Sequence, residues 1–266
     1  MAQDPPLYAE LLRRRGRPVV AMPDRDDVID GMDAALRRKV AQTWARRAHE
    51  ELKAAMAFTL LSRELLAAGA VPDVLARVTR AVSDEVRHAE ILRALASRYL
   101  GQEAPWPPGM DLPPESPGEP PRVLASLHVV TLCCVSESIA SVFIEASHEA
   151  ATSPSARASL GVVLADEVEH GRAGWVYLAS VREDRTVMTA VQRAMVSMVR
   201  KAVESWFDFS AIVLPDGAPE HGLLSNEEVR ACVVTALREL VLPGFSQLGL
   251  DVTEASAALH RRQPVP

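Results

Sequence analysis

The sequence predicts an all-α protein: four long helices arranged as a bundle of two hairpins joined by one long crossover, with additional helices after it. Three observations lead there. Ala, Leu, Val, Arg and Glu dominate the central stretch, while aromatics make up only 5% of the chain, a mix that suits helices better than strands. Apolar residues recur at helical spacing over four long segments. The breaks between those segments are two short turns and one proline-rich stretch, the spacing of two tight hairpins and a crossover.

Residues 1–31 are charged and proline-rich, and read as an irregular arm or short helical cover. The first long helix runs from about Met32 to Ala68 and stops at Gly69-Ala70-Val71-Pro72, a turn short enough for antiparallel neighbours. Asp73 is expected to cap the second helix, which reaches Leu100 and ends at Gly101. Residues 101–120 hold seven prolines and three glycines, so no helix is expected there. A third helix follows from Pro121 to about Thr152. Ser153-Pro154 then supplies a cap and a first-turn proline for a fourth, to about Arg182. The bundle is thus assigned to residues 32–182, and a C-terminal helical extension to 183–266. In that extension an amphipathic helix is expected over 186–212, broken by Pro215, Gly217 and Gly222, with shorter helices over 225–241 and 251–262 that would serve as a lid or an oligomer contact.

With 48% hydrophobic residues, the 266-residue chain can bury a sizeable core. A net charge of -6 argues against nucleic acid as the main partner, and Arg13-Arg14-Arg15-Gly16-Arg17 reads as a solvated basic segment. Cys133, Cys134 and Cys232 form no disulfide framework, which fits a reducing cytoplasm. No signal peptide and no apolar run of membrane-spanning length is read from the sequence, so the expectation is a soluble cytoplasmic protein.

Chemistry concentrates in two segments that echo each other, Asp84-Glu85-Val86-Arg87-His88 and Asp166-Glu167-Val168-Glu169-His170. Each puts a Glu and a His three residues apart on one helix face, on the second helix of its hairpin. Carboxylate oxygens with one imidazole per metal suit iron or manganese. A glutamate from each partner helix is then expected to bridge two metals. On the third helix Glu137 sits within the apolar face of Val123, Val130, Cys134, Ala140 and Ile144. On the first, Glu51 shares a face with Val40, Trp44, Ala48, Ala55, Phe58 and Leu65. Its neighbour Glu50 shares one with Lys39, Thr43, Arg46 and Arg47, which want water, so Glu51 is the inward residue. At ~1.5 Å per residue, the ligand levels within each hairpin agree to roughly 8 Å. Four buried glutamates call for cations, and two divalent ions balance them. Asp84 is expected to orient His170 and Asp166 to orient His88, across a pseudo-twofold. Glu145-x-x-His148 repeats the Glu–His spacing without a matching partner and is read as exposed.

At these residues the sequence resembles the ferritin-like superfamily of di-iron carboxylate proteins, which includes rubrerythrins, bacterial ferritins, ribonucleotide reductase small subunits and several oxygenases. The resemblance covers about 32–182. It rests on Trp44 to Phe58, Asp84 to His88, Cys134 to Ala140 and Leu164 to Trp175. It implies a ferritin-like four-helix bundle in which Glu51, Glu85, His88, Glu137, Glu167 and His170 hold two iron ions, with manganese as the alternative, and activate dioxygen or peroxide. No cysteine pairs are present for a rubrerythrin's extra iron module, and Val163 stands where arylamine N-oxygenases carry a further histidine. The expected activity is an oxygen-dependent oxidase or oxygenase acting on a small organic substrate, with an unidentified electron donor; a homodimer is compatible with it. Ferroxidase, peroxide-handling or iron-storage activity, a tRNA-modifying hydroxylase and a metal-stabilised scaffold are the alternatives. Phe58, Cys133, Cys134 and Trp175 are candidates to line a substrate pocket.

Overall fold

The computed structural model describes residues 20–111, 118–210, 214 and 216–260, and it is helical, with an isolated bridge between Ala218 and Leu223 as its only β pairing among those residues. The basic cluster at 13–17 lies outside them. A single turn, α1 (Asp27–Asp30), precedes α2 (Ala34–Ala67), which Asp33 caps by accepting from Ala35 and Leu36 N–H. α3 (Pro72–Leu100) ends on left-handed Gly101 as expected, but its N-cap is Val71 rather than Asp73. Pro72 has no N–H to offer and takes the first helical position, so Asp73 falls inside the first turn and pairs with Arg77 at 3.0 Å.

α4 (Pro121–Ala150) and α5 (Pro154–Ser180) form the second hairpin, with Ser153 capping α5 through Ala156 N–H. α2 packs on α3, α3 on α5, α5 on α4 and α4 back on α2, which closes a ring. The two helices bearing the Glu–His pairs are therefore direct neighbours. α6 (Arg185–Ser210) lies against α4; α7, residues 226–247, packs on α4 and α6; α8 (Thr253–His260) packs on α6. Buried Asp26 ties the N-terminal segment to the start of α5 by accepting from Ser153 Oγ at 2.7 Å and Ser155 N–H at 2.9 Å.

Two of these helices depart from the regular period. α4 is π-helical from Val130 to Ser136, immediately before Glu137. A π turn holds an extra residue and swings the residues after it to a new face. α7 runs through Pro243 instead of stopping near 241, because a π turn at Leu237–Val241 opens the ladder where proline has no N–H to give. α4 also carries an 18-residue window of mean hydropathy 1.8. By length and composition it could cross a membrane, contrary to the expectation from sequence, yet more than half of that window is buried among the other helices.

The apolar core falls into two clusters. One holds Phe58, Leu61, Leu65, Val78, Val130 and Leu178, the other Trp44, Leu92, Leu95, Tyr99, Phe143 and Leu160. Each fully buried leucine stabilises the fold by about 1.5–3 kcal/mol. Between them, at the levels of Glu51, Glu85, Glu137 and Glu167, lies a buried polar layer. α5 approaches the π turn closely: a Cβ at Gly174 would stand 2.6 Å from Cys133 Cβ and 2.8 Å from the backbone N of Cys134. Gly174→Ala is expected to force the helices apart and cost about 1–3 kcal/mol, read as a lower urea midpoint. An unchanged midpoint would show that the contact is slack.

Candidate metal centre

The ring of α2 to α5 brings together all six residues singled out in the sequence. Their donor atoms form two groups, each within 4.8 Å: Glu51, Glu85, His88 and Glu167, and Glu85, Glu137, Glu167 and His170. The groups share Glu85 and Glu167. Those two carboxylates are therefore placed to bridge, and Glu51 and Glu137 take the outer ends. From sequence Glu51 and Glu137 are expected to bridge, whereas the pair common to both groups is Glu85 and Glu167. The adjacency of α3 and α5 explains it, since the residues nearest the seam between them face both groups.

Both imidazoles turn Nδ1 inward. His88 Nδ1 lies 3.6 Å from Glu51, 3.4 Å from Glu85 and 3.4 Å from Glu167. His170 Nδ1 lies 2.9 Å from Glu85 and 3.7 Å from Glu167. Despite these separations, both oxygens of Glu85, Oε2 of Glu167 and both Nδ1 atoms are buried without a hydrogen-bond partner. Such atoms carry a desolvation cost that only a partner repays. Cations at the centres of the two groups would meet all of them at once. Each group offers three carboxylates and one imidazole, a donor set that fits iron or manganese in oxidation states two and three.

The outer ring nitrogens meet the aspartates reciprocally across α3 and α5. His88 Nε2 is 3.1 Å from Asp166, and His170 Nε2 is 3.7 Å from Asp84. The shorter contact is a hydrogen bond that fixes the His88 ring and its tautomer; the longer one lies beyond hydrogen-bond reach. Asp166→Ala is expected to weaken metal retention by about 10–100-fold, and Asp84→Ala by less because its contact is longer. Chelator competition measures both; full retention in the two variants would show the aspartates are not needed.

Sequence reasoning missed what holds these aspartates. Arg87 is buried between them, contacting Asp166 and standing 3.6 Å from Asp84, while Arg80 closes the outer side at 3.3 Å from Asp84 and 3.9 Å from Asp166. The one place where the two motifs differ in charge, Arg87 against Glu169, was the available signal. Glu169 is exposed and pairs with Arg77 and Arg172.

Without metal, protons supply the positive charge. Burial pushes Glu51 up to about 8 and Glu137 well above the carboxylate range, with neighbouring carboxylates adding to both. Burial also acts to raise Glu85 and Glu167, but the nearby histidines hold both low, with Glu137 also lowering Glu167. For His88 and His170 burial works against the charged form, and the surrounding carboxylates outweigh it, leaving both raised.

Compared with known protein families, curated proteins and solved structures, the chain matches none.

A cavity of about 510 Å³ opens onto the cluster between α2, α4 and α6. Glu51, Glu85, Glu137 and Glu167 form its floor; Ala54, Ala57, Leu132, Ala140, Phe143 and Trp206 form its apolar wall. Trp206 belongs to the extension, so α6 helps to cover the site. Phe58, Cys133, Cys134 and Trp175 do not line this cavity: the first three are fully buried core, and Phe58 sets its edge against the His170 ring at 5.2 Å. Glu50 is half-buried in the lining of the cavity, outside both donor groups, with Lys53 at 2.9 Å. Thr43 and Arg47, expected with it on a wet face, are instead buried. Arg47 is stacked between Trp44 and Phe143, at 4.8 and 4.6 Å from their ring centres, and Nη1 donates to Gly222 O at 3.3 Å. The loop carrying Gly222 is what buries it, and nothing in the local helical pattern reports that loop. Glu145 is exposed as read, and His148 is half-buried.

Proposed function

We propose that this chain is a ferritin-like di-iron protein that uses dioxygen to oxidise a small organic substrate. The observation that carries the reading is the pair of four-residue groups sharing Glu85 and Glu167, with their inward atoms orphaned in a buried layer. The closed ring of four long helices, with its one long crossover between α3 and α4, supports the ferritin-like assignment. In that reading Glu51, Glu85, His88 and Glu167 hold one iron and Glu85, Glu137, Glu167 and His170 the other.

Bound ferrous iron would supply the electrons and the Lewis acidity for reducing dioxygen. The protein's part is orientation. Asp84 and Asp166, beside Arg87, stand behind the imidazoles, and the apolar part of the wall gives the carbon atoms of a substrate a surface to lie on beside the four glutamates. A cavity of about 510 Å³ is within the range of small-molecule sites, which favours substrate oxidation over iron storage.

The test is anaerobic ferrous titration of metal-free protein, followed by rapid mixing with oxygen and optical recording. Binding of two irons per chain and a transient visible absorbance are expected. Failure to bind iron stoichiometrically would refute the reading, and continued ferrous oxidation far beyond two irons per chain would move the assignment to iron handling.

A further inference from the structure

Resting on the di-metal reading, we propose that the cavity beside the cluster is a subsite for an organic carboxylate, its anionic group docked on Arg47 and its apolar body lying along Ala54, Ala57, Ala140 and Phe143.

The argument starts from charge. Two divalent ions use up the four glutamates of the cluster. Asp84 and Asp166 face Arg87 and Arg80, and Glu50 faces Lys53. Arg47 is left over. It lines the cavity and is only 4% exposed, and its Nε is buried with no hydrogen-bond partner. Its neighbour one turn on, Glu51, belongs to the cluster and leaves Arg47 without a counter-charge of its own. An unpaired buried charge is among the more costly arrangements in a protein, and an anion brought in from outside relieves it. The cation is also held in place for the task, clamped between two aromatic faces and fixed by Gly222 O.

The same surroundings choose among anions. A monocarboxylate brings the single charge that the one buried guanidinium, Arg47, balances. The walls ask for an apolar remainder. Along α2, Arg47 and Glu51 stand four residues, about 6 Å, apart, so a docked acid brings carbon atoms close to its carboxylate up to the cluster. Oxidation would then fall near the acid end of the molecule.

Isothermal titration of the full-length protein, loaded with ferrous iron under anaerobic conditions, tests this with octanoate and its neutral counterpart octanamide. Octanoate is expected to bind about 10- to 100-fold more tightly than octanamide. Arg47→Gln is expected to abolish that preference, and Arg47→Lys to keep part of it. Equal binding of the two probes by the unaltered protein overturns the proposal, a comparison that needs no variant to fold. A preference that survives Arg47→Gln overturns it too, because the acid would then be sitting on the metals themselves. Metal content measured on the same samples separates the two readings. Octanoate preference in protein that takes up no iron upholds the anion subsite while the di-iron assignment fails; two irons without preference sinks the subsite alone.

Discussion

Glu167→Ala is expected to empty both metal positions and Glu85→Ala to do the same, whereas Glu51→Ala is expected to leave about one ion per chain. The contrast follows from sharing: Glu85 and Glu167 belong to both four-residue groups, Glu51 to one. Removing a shared carboxylate strips each ion of a ligand and leaves His88 and His170 without the partner that faces both of them. On the proposed function, oxygen reactivity is expected to be lost with either shared residue, and His170→Ala is expected to lose at least the ion beside Glu137. Glu50→Ala, by contrast, gives up only a surface contact with Lys53, worth about 0–1 kcal/mol, and keeps its metal. Elemental analysis of the purified variants decides the matter. Near-full metal content in Glu167→Ala would mean that the carboxylates do not bridge, and loss on Glu50→Ala would overturn the register of α2.

Metal loading is expected to expel up to four protons for each pair of ions, and to tighten steeply with pH. The proton carriers are Glu51, Glu137, His88 and His170, all shifted upward in the metal-free fold, while Glu85 and Glu167 are held low and release none. Two divalent ions replacing four protons leaves the buried layer neutral in both states. With two protons leaving per ion, affinity rises about 100-fold per pH unit for each ion. The window lies below about pH 8, where Glu51 is still protonated along with the other three. Because all four folded-state values are raised, each stabilises the metal-free protein most at low pH and less as pH climbs; for Glu51 that loss runs from about 4.5 to about 8. The gain in melting temperature on adding metal should therefore grow from pH 6 to pH 8. Calorimetry in buffers of different ionisation enthalpy counts the protons; a count near zero would show that the metal-free cluster does not carry them.

The inward position of the ligands was legible because one face of α2 is apolar around Glu51 and because two DE-x-x-H segments repeat at matching depth in their hairpins. Hairpin lengths, the crossover and the helix ends at Gly101 and Ser153 could likewise be read from local chemistry. What the sequence did not reveal depends on neighbours distant in the chain. Periodicity assigns Arg47 to the wet face, and only the loop at Gly222 and the ring of Phe143 bury it. The assumption of 3.6 residues per turn carries straight through Val130–Ser136, where the helix widens. Which carboxylates the two groups share depends on which helices adjoin in space, and the order of the helices along the chain does not contain that. The fate of Pro243 is of the same kind: as a local signal it ends a helix, and here the wider turn before it lets the helix continue.

The partition of the ligands between the two hairpins has a consequence for how the chain is made. The first hairpin to leave the ribosome carries Glu51, Glu85 and His88, and the second carries Glu137, Glu167 and His170. Each four-residue group borrows one carboxylate from the other hairpin. Neither half of the nascent chain can therefore assemble a finished ion site, and capture waits until α5 has been synthesised and docked. On the di-iron reading, redox-active iron would in this way be kept off an unfinished polypeptide, and its uptake would mark a chain that has closed correctly.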